Sequence, residues 1–124
     1  MVKKILVIDD EINFGKLVKR NLELTGDFKV EIAVSGKEGI RLAVRLKPHL
    51  ILLDILMVDM DGFKVLERLK ENLKTVLIPV IMISAKCDDV IRAQALNKGV
   101  KLFIAKPIGA DELRSKIIKV LKSI

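Results

Sequence analysis

Four carboxylates, one hydroxyl and one ammonium stand directly after short apolar runs. Asp9, Asp10 and Glu11 follow the run 5–8, Asp54 closes the run 50–53, Ser84 closes 80–83, and Lys106-Pro107 comes just after 102–104. If Asp9, Asp10 and Asp54 meet, they must repel unless a proton or a cation neutralises them. An all-oxygen set without histidine or cysteine suits a hard ion, Mg²⁺ or Mn²⁺, better than zinc. Magnesium takes only one or two carboxylates and keeps waters, so one carboxylate oxygen is left free as a nucleophile. A serine hydroxyl and a lysine opposite are suited to phosphoryl oxygens. Taken together, these residue types describe a magnesium-dependent phosphoryl site. Acids at strand ends also serve as helix N-caps, but that role does not explain why Ser84 and Lys106 arrive at the same edge.

The elements must be such that those run ends do meet. Five apolar runs of strand length, at 5–8, 30–34, 50–53, 80–83 and 102–104, alternate with amphipathic stretches of helix length. Runs apolar on both faces fit a parallel sheet covered by helices on both sides. Ser35 with Glu38 reads as a capping box, and Ile40, Ala43 and Val44 form a stripe that stops before Pro48. Phe63, Leu66, Leu69 and Leu73 repeat at helical spacing and are expected in the core, as are Leu113, Ile117, Val120, Leu121 and Ile124. Ile12, Leu17, Val18 and Leu22 are only partly in phase. Asp88 or Asp89 is positioned to cap a fourth helix that ends before Gly99. The expected fold class is α/β, a doubly wound five-stranded parallel sheet in one domain, residues 1–124. In such sheets the working crevice lies beyond the carboxyl ends of the strands, where all the candidate residues fall.

Composition narrows the function classes. The chain has 124 residues, 51% of them hydrophobic, which is enough for one cored domain and too apolar for disorder. The longest apolar run, 76–83, includes Pro79 and is far short of the roughly 20 residues that span a bilayer. The apolar stretch after Lys3 and Lys4 is too short for a secretory signal, and the single Cys87 can form no internal disulfide. A cytoplasmic domain with no membrane contact is expected. The formal charge is +7, concentrated after Asn97, where seven basic side chains face only Asp111 and Glu112. No aromatic interleaves the charges of the last helix, so a solvated or protein-docking face is expected there, with no direct nucleic-acid binding. His49 reads as a surface residue at the edge opposite the acids, and Cys87 as a small apolar filler. The Gly36–Gly39 stretch has the spacing of neither a P-loop nor a dinucleotide fingerprint.

Asp9-Asp10-Glu11, Leu53-Asp54-Ile55 with Met57, Met60-Asp61-Gly62, Ser84-Ala85 and Phe103-Ile104-Ala105-Lys106-Pro107, in that order, closely resemble the receiver domain of two-component response regulators. The resemblance covers essentially the whole chain and implies a flavodoxin-like sheet of order 2-1-3-4-5. It implies that Asp54 is the phosphoacceptor, Asp10 a direct Mg²⁺ ligand, Asp9 a ligand through water, and the Leu56 carbonyl a further ligand. Lys106 would pair with the acceptor and then with a phosphoryl oxygen, while Ser84 would be the switch hydroxyl and Phe103 the switch aromatic. The Lys106-Pro107 peptide would be cis. The implied partners are a sensor histidine kinase or a phosphotransfer protein, and a downstream output protein or fused output domain. Homodimerisation on phosphorylation is among the outcomes the resemblance implies. Such a domain catalyses its own modification and turns over no separate substrate.

The chain departs from the family at one position, where Val58 stands in place of the usual proline four residues after the acceptor. That residue touches no phosphate, so the change bears on loop rigidity. An aspartate-nucleophile phosphatase of the haloacid dehalogenase kind shares the chemistry but needs a second acid where this chain has Leu56. A receiver-like interaction module that no longer accepts phosphate is the other alternative, and every chemical position it would have lost is present. The sequence stops just after the last helix, which leaves a stand-alone receiver and a piece of a longer regulator as the two expectations.

Overall fold

The computed structural model describes residues 1–124. Its elements run β1 (Lys3–Ile8), α1 (Ile12–Glu23), β2 (Phe28–Ala33), α2 (Gly36–Leu46), β3 (Leu50–Asp54), α3 (Gly62–Glu71), β4 (Val80–Ser84), α4 (Asp89–Asn97), β5 (Leu102–Ala105) and α5 (Ala110–Lys122). All strand pairs are parallel, and the order is β2-β1-β3-β4-β5. The expected strand–helix alternation and strand order both hold.

Successive strand residues serve opposite faces, which is why the runs 5–8, 50–53 and 80–83 of the central strands are apolar throughout, whereas edge strand β2 carries Lys29 and Glu31. Leu6, Ile8, Ile51, Leu53 and Met82 pack with Ala43, Leu66, Leu69 and Ala95 of α2, α3 and α4. Ile5, Val7, Leu50, Leu52, Ile81 and Ile83 pack with Val18, Leu22, Leu113, Ile117 and Val120 of α1 and α5. Each such side chain, fully buried, contributes about 1.5–3 kcal/mol relative to exposure. The central strands β1, β3 and β4 are therefore the rigid part of the molecule, and their carboxyl ends are held in fixed register.

The helix starts use local acids and hydroxyls. Ser35 Oγ accepts from the Glu38 N–H at 3.1 Å, and Glu38 Oε1 accepts from the Val34 N–H at 3.0 Å. Asp61 caps α3 through the Lys64 N–H, and Asp88, not Asp89, caps α4 through the Ile91 N–H. Gly62 begins α3 against the end of β3, where a Cβ would come within 2.6 Å of Ile55 Cα. Only glycine lets the helix start there, which keeps the β3–α3 loop folded over the sheet edge.

Several apolar residues expected inside are outside. Leu73 is 93% exposed because α3 ends at Glu71, and Ile124 lies beyond α5. On α1, Val18 and Leu22 are buried while Ile12 and Leu17 face solvent. His49 is more than a surface residue. It is half-buried, its Nδ1 accepts from the Lys4 N–H at 2.9 Å, and burial followed by the nearby Lys3 and Lys4 lowers its pKa. Cys87 is half-buried against the core, in keeping with a filler role.

Candidate functional site

The strand register sets the site. Ile8 pairs with Leu53 and Ser84 pairs with Ala105, so the residues following β1, β3, β4 and β5 emerge along one edge. Asp9 and Asp54 are buried there, at 1% and 4% exposure. One oxygen each of Asp9, Glu11 and Asp54 lies within 4.8 Å of the others.

Lys106 stands over this cluster. Its Nζ lies 2.8 Å from Asp9 Oδ2, 3.1 Å from Glu11 Oε1 and 3.9 Å from Asp54 Oδ2, and 4.2 Å from the centroid of the Phe14 ring. Burial works against its charge, but Asp9, Glu11 and Asp54 outweigh burial and hold its pKa above the ordinary lysine range. The Lys106-Pro107 peptide is cis. Asp54 shows the opposite balance. Burial first, and the charge of Asp9 second, push its pKa up to about 7, against the pull of Lys106 and the Leu56 backbone N–H. The pocket thus holds more negative charge than one ammonium neutralises.

That imbalance is the test of whether a cation fits. The donors are all carboxylate oxygens with neither histidine nor cysteine among them, and a divalent ion would relieve the repulsion that raises Asp54. The residues present fit a hard divalent cation.

The other expected site residues fall as follows. Asp10 is not in the close cluster, and its Oδ2 accepts from the Val58 N–H at 3.1 Å. Leu56 lies two residues past Asp54, on the loop at the pocket mouth, with its side chain half-exposed. Ser84 is fully buried, and its Oγ accepts from the Lys86 N–H at 3.1 Å. Phe103 is 3% exposed and belongs to the core on the α2–α4 side of the sheet. Val58 is at the opposite extreme, 96% exposed.

Three residues with no role assigned from the sequence now have one. Glu11 and Phe14 both hold Lys106, one by charge and one by its ring. Arg92 of α4 donates to the Phe103 carbonyl at 3.3 Å and sits 5.3 Å from that ring's centroid, tying α4 to β5. Phe14 and Arg92 carry no signal in the spacing of the chain. Glu11 does, as the third acid of a strand-end cluster.

Comparison with known proteins agrees with this geometry. The family model described as response regulator receiver domain matches residues 5–118. The chain is 36% identical over 119 residues to the DNA-binding dual master transcriptional regulator RpaA of a Synechocystis species, covering 96% of this chain and 49% of that protein. It is 32% identical over 122 residues to the alkaline phosphatase synthesis transcriptional regulatory protein PhoP of Bacillus subtilis, covering 98% and 50%. The chain therefore spans about half the length of the curated relatives it matches. Among solved structures, a response regulator receiver domain protein (CheY-like) from Methanospirillum hungatei superposes with a TM-score of 0.91 at 29% identity, covering 99% of this chain and 96% of that one. A response regulator from Desulfuromonas acetoxidans gives 0.89 at 31%, covering 98% of each. A sheet of order 2-1-3-4-5 carrying its acids, serine and lysine on one edge, a family model across nearly the whole length, and these relatives lead to one conclusion: the chain belongs to the response regulator receiver domain family.

Proposed function

We propose that this receiver domain is a phosphorylation switch in which Asp54 accepts a phosphoryl group from a phosphohistidine on a sensor histidine kinase or phosphotransfer protein. The observation that carries the reading is the burial of Asp54 at the end of β3, 3.9 Å from the Lys106 ammonium and against Asp9. An Asp54 oxygen forms the new bond to phosphorus as the bond from phosphorus to the histidine nitrogen breaks, and the freed imidazole keeps the electron pair. Charge spreads over the equatorial oxygens, and stabilising it is the main catalytic requirement. Lys106 is placed to meet one of those oxygens.

Asp10, Asp54 and the Leu56 carbonyl would hold Mg²⁺ or Mn²⁺ directly, with Asp9 acting through water. The ion supplies charge neutralisation to the acceptor carboxylate and the transferring group. Glu11 and Asp9 keep the Lys106 ammonium at the pocket, and Phe14 covers it.

The product is an acyl phosphate. Ser84 already accepts from the Lys86 N–H, so its own O–H is the donor available to a phosphoryl oxygen. Movement of Ser84 would free space toward Phe103 and loosen the Arg92 tie, altering the face formed by α4, β5 and α5. RpaA and PhoP are named as transcriptional regulators, which supports an output through a separate partner or a fused domain.

The direct test is labelling with acetyl phosphate and Mg²⁺, read by intact mass. The wild type should gain one phosphoryl group and Asp54→Asn none, and equal labelling of the variant would sink the assignment.

A further inference from the structure

Of Asp9, Asp10, Glu11 and Asp54, Asp10 alone lies outside the close group of carboxylate oxygens. Its Oδ2 accepts from the backbone N–H of Val58 at 3.1 Å, which joins the β1–α1 turn to the β3–α3 loop across 48 positions of sequence. The Val58 side chain is almost wholly in solvent, so its apolar character does not account for the residue at this position. What the residue offers here is its backbone N–H, which a proline would not have. The next residue fixes the loop on its other side, since Asp59 accepts from the Gly36 and Lys37 N–H groups at 2.9 and 3.1 Å. These bonds draw on the first turn of α2, and they lower the Asp59 pKa against the pull of burial. The loop is thus secured independently of Asp10, and the Val58 N–H remains where Asp10 finds it.

We propose that the Val58 backbone N–H is a latch on Asp10, holding that carboxylate on the β3–α3 loop so that a divalent cation in the Asp54 pocket must draw it off. Val58 is in this sense a positioning residue that acts through Asp10 and touches neither ion nor phosphoryl group. The proposal rests on the reading of the pocket as a cation site. Bonded to Val58, Asp10 lies outside the oxygen group of Asp9, Glu11 and Asp54, so joining an ion there means leaving that position, and the coupling is reciprocal. Cation binding frees the Val58 N–H, and whatever strengthens its bond to Asp10 lowers cation affinity. The mouth of the site, at Leu56 and Val58, would then report cation occupancy to any protein docking there.

The experiment is a Mg²⁺ titration followed by backbone amide NMR on wild type, Val58→Pro and Val58→Ala. Proline removes the donor, while alanine keeps the N–H and removes only the side chain. Val58→Pro should bind Mg²⁺ about three- to tenfold more tightly, the worth of one such hydrogen bond, and Val58→Ala should match wild type. In wild type, the Val58 amide should shift and exchange faster with solvent as Mg²⁺ saturates, a readout that needs no variant. Unchanged or weaker binding by Val58→Pro, or a Val58 amide that stays equally protected, would overturn the latch alone. A wild type that binds no Mg²⁺ would overturn the cation site and the latch with it.

Discussion

Lys106 is bonded to Asp9 more closely than to Asp54, with Nζ 2.8 Å from Asp9 Oδ2 and 3.9 Å from Asp54 Oδ2. The ammonium is therefore spent largely on Asp9 and Glu11, and Asp54 is left buried and under-neutralised. Burial first, and the charge of Asp9 second, push the Asp54 pKa up to about 7, and Lys106, engaged elsewhere, offsets them only in part. A second cation beside Asp54 would lower that pKa and raise the ionised fraction at neutral pH.

Metal affinity should depend more on Asp10 than on Asp9. Asp9 is already satisfied by Lys106 and by the Glu11 N–H at 2.9 Å, whereas Asp10 is held by a single neutral donor. Titrating Mg²⁺ into Asp9→Asn and Asp10→Asn separately checks this. A larger loss in Asp9→Asn would reverse the direct and water-mediated roles.

Stability should fall with rising pH because of Asp54. Its folded pKa lies above the ordinary value of 3.8, so between about 4 and about 7 the folded chain binds more protons than the unfolded chain. Stability contributed by the neutral form is then lost as pH rises through that window. With divalent ions chelated, Asp54→Asn should unfold at higher urea than wild type at pH 8, by about 1–4 kcal/mol. The two should converge near pH 4. Parallel curves at all pH values would mean that Asp54 ionises normally.

If Asp54 takes its phosphoryl group from a phosphohistidine, the donor protein must bring its surface against the rim of the pocket. Leu17 is 66% exposed on α1 and, with Phe14, Leu24, Ile108 and Leu113, lines an apolar groove of about 390 Å³ between α1 and α5. Leu17→Asp should slow transfer from a histidine phosphodonor protein by roughly tenfold or more, the scale of an apolar interface anchor. Labelling by acetyl phosphate, which needs no docking, should be unchanged. Equal loss with both donors would place the defect in the fold and not in docking.

The basic α5 should not read DNA. Lys116, Lys119 and Lys122 supply charge without any aromatic residue on the helix, which supports only weak, salt-sensitive contact. Duplex binding and self-association should be measured with and without beryllofluoride and Mg²⁺. Submicromolar, sequence-selective binding that survives moderate salt would contradict this. A change in oligomeric state on activation would support a protein-docking role.

The sequence by itself determined the architecture and the chemical inventory of this protein. Runs apolar at every position can be satisfied only between two helical layers, and the acids, serine and lysine stand one to three residues past those runs, where a parallel sheet must bring them to one edge. Short-range chemistry was legible too, since Ser35 and Asp88 cap helices in the turns where they stand. What the tertiary structure alone decided is which partner each charge takes. Asp10 and Val58 are 48 positions apart, Lys106 and Glu11 are 95 apart, and Arg92 reaches Phe103 only because α4 packs on β5. The periodic pattern likewise could not say that α3 stops at Glu71 and leaves Leu73 in solvent, or that His49 answers a backbone N–H of β1. Periodicity records which face of an element is apolar, whereas pairing between polar atoms depends on distances of a few tenths of an ångström that exist only once the layers have packed.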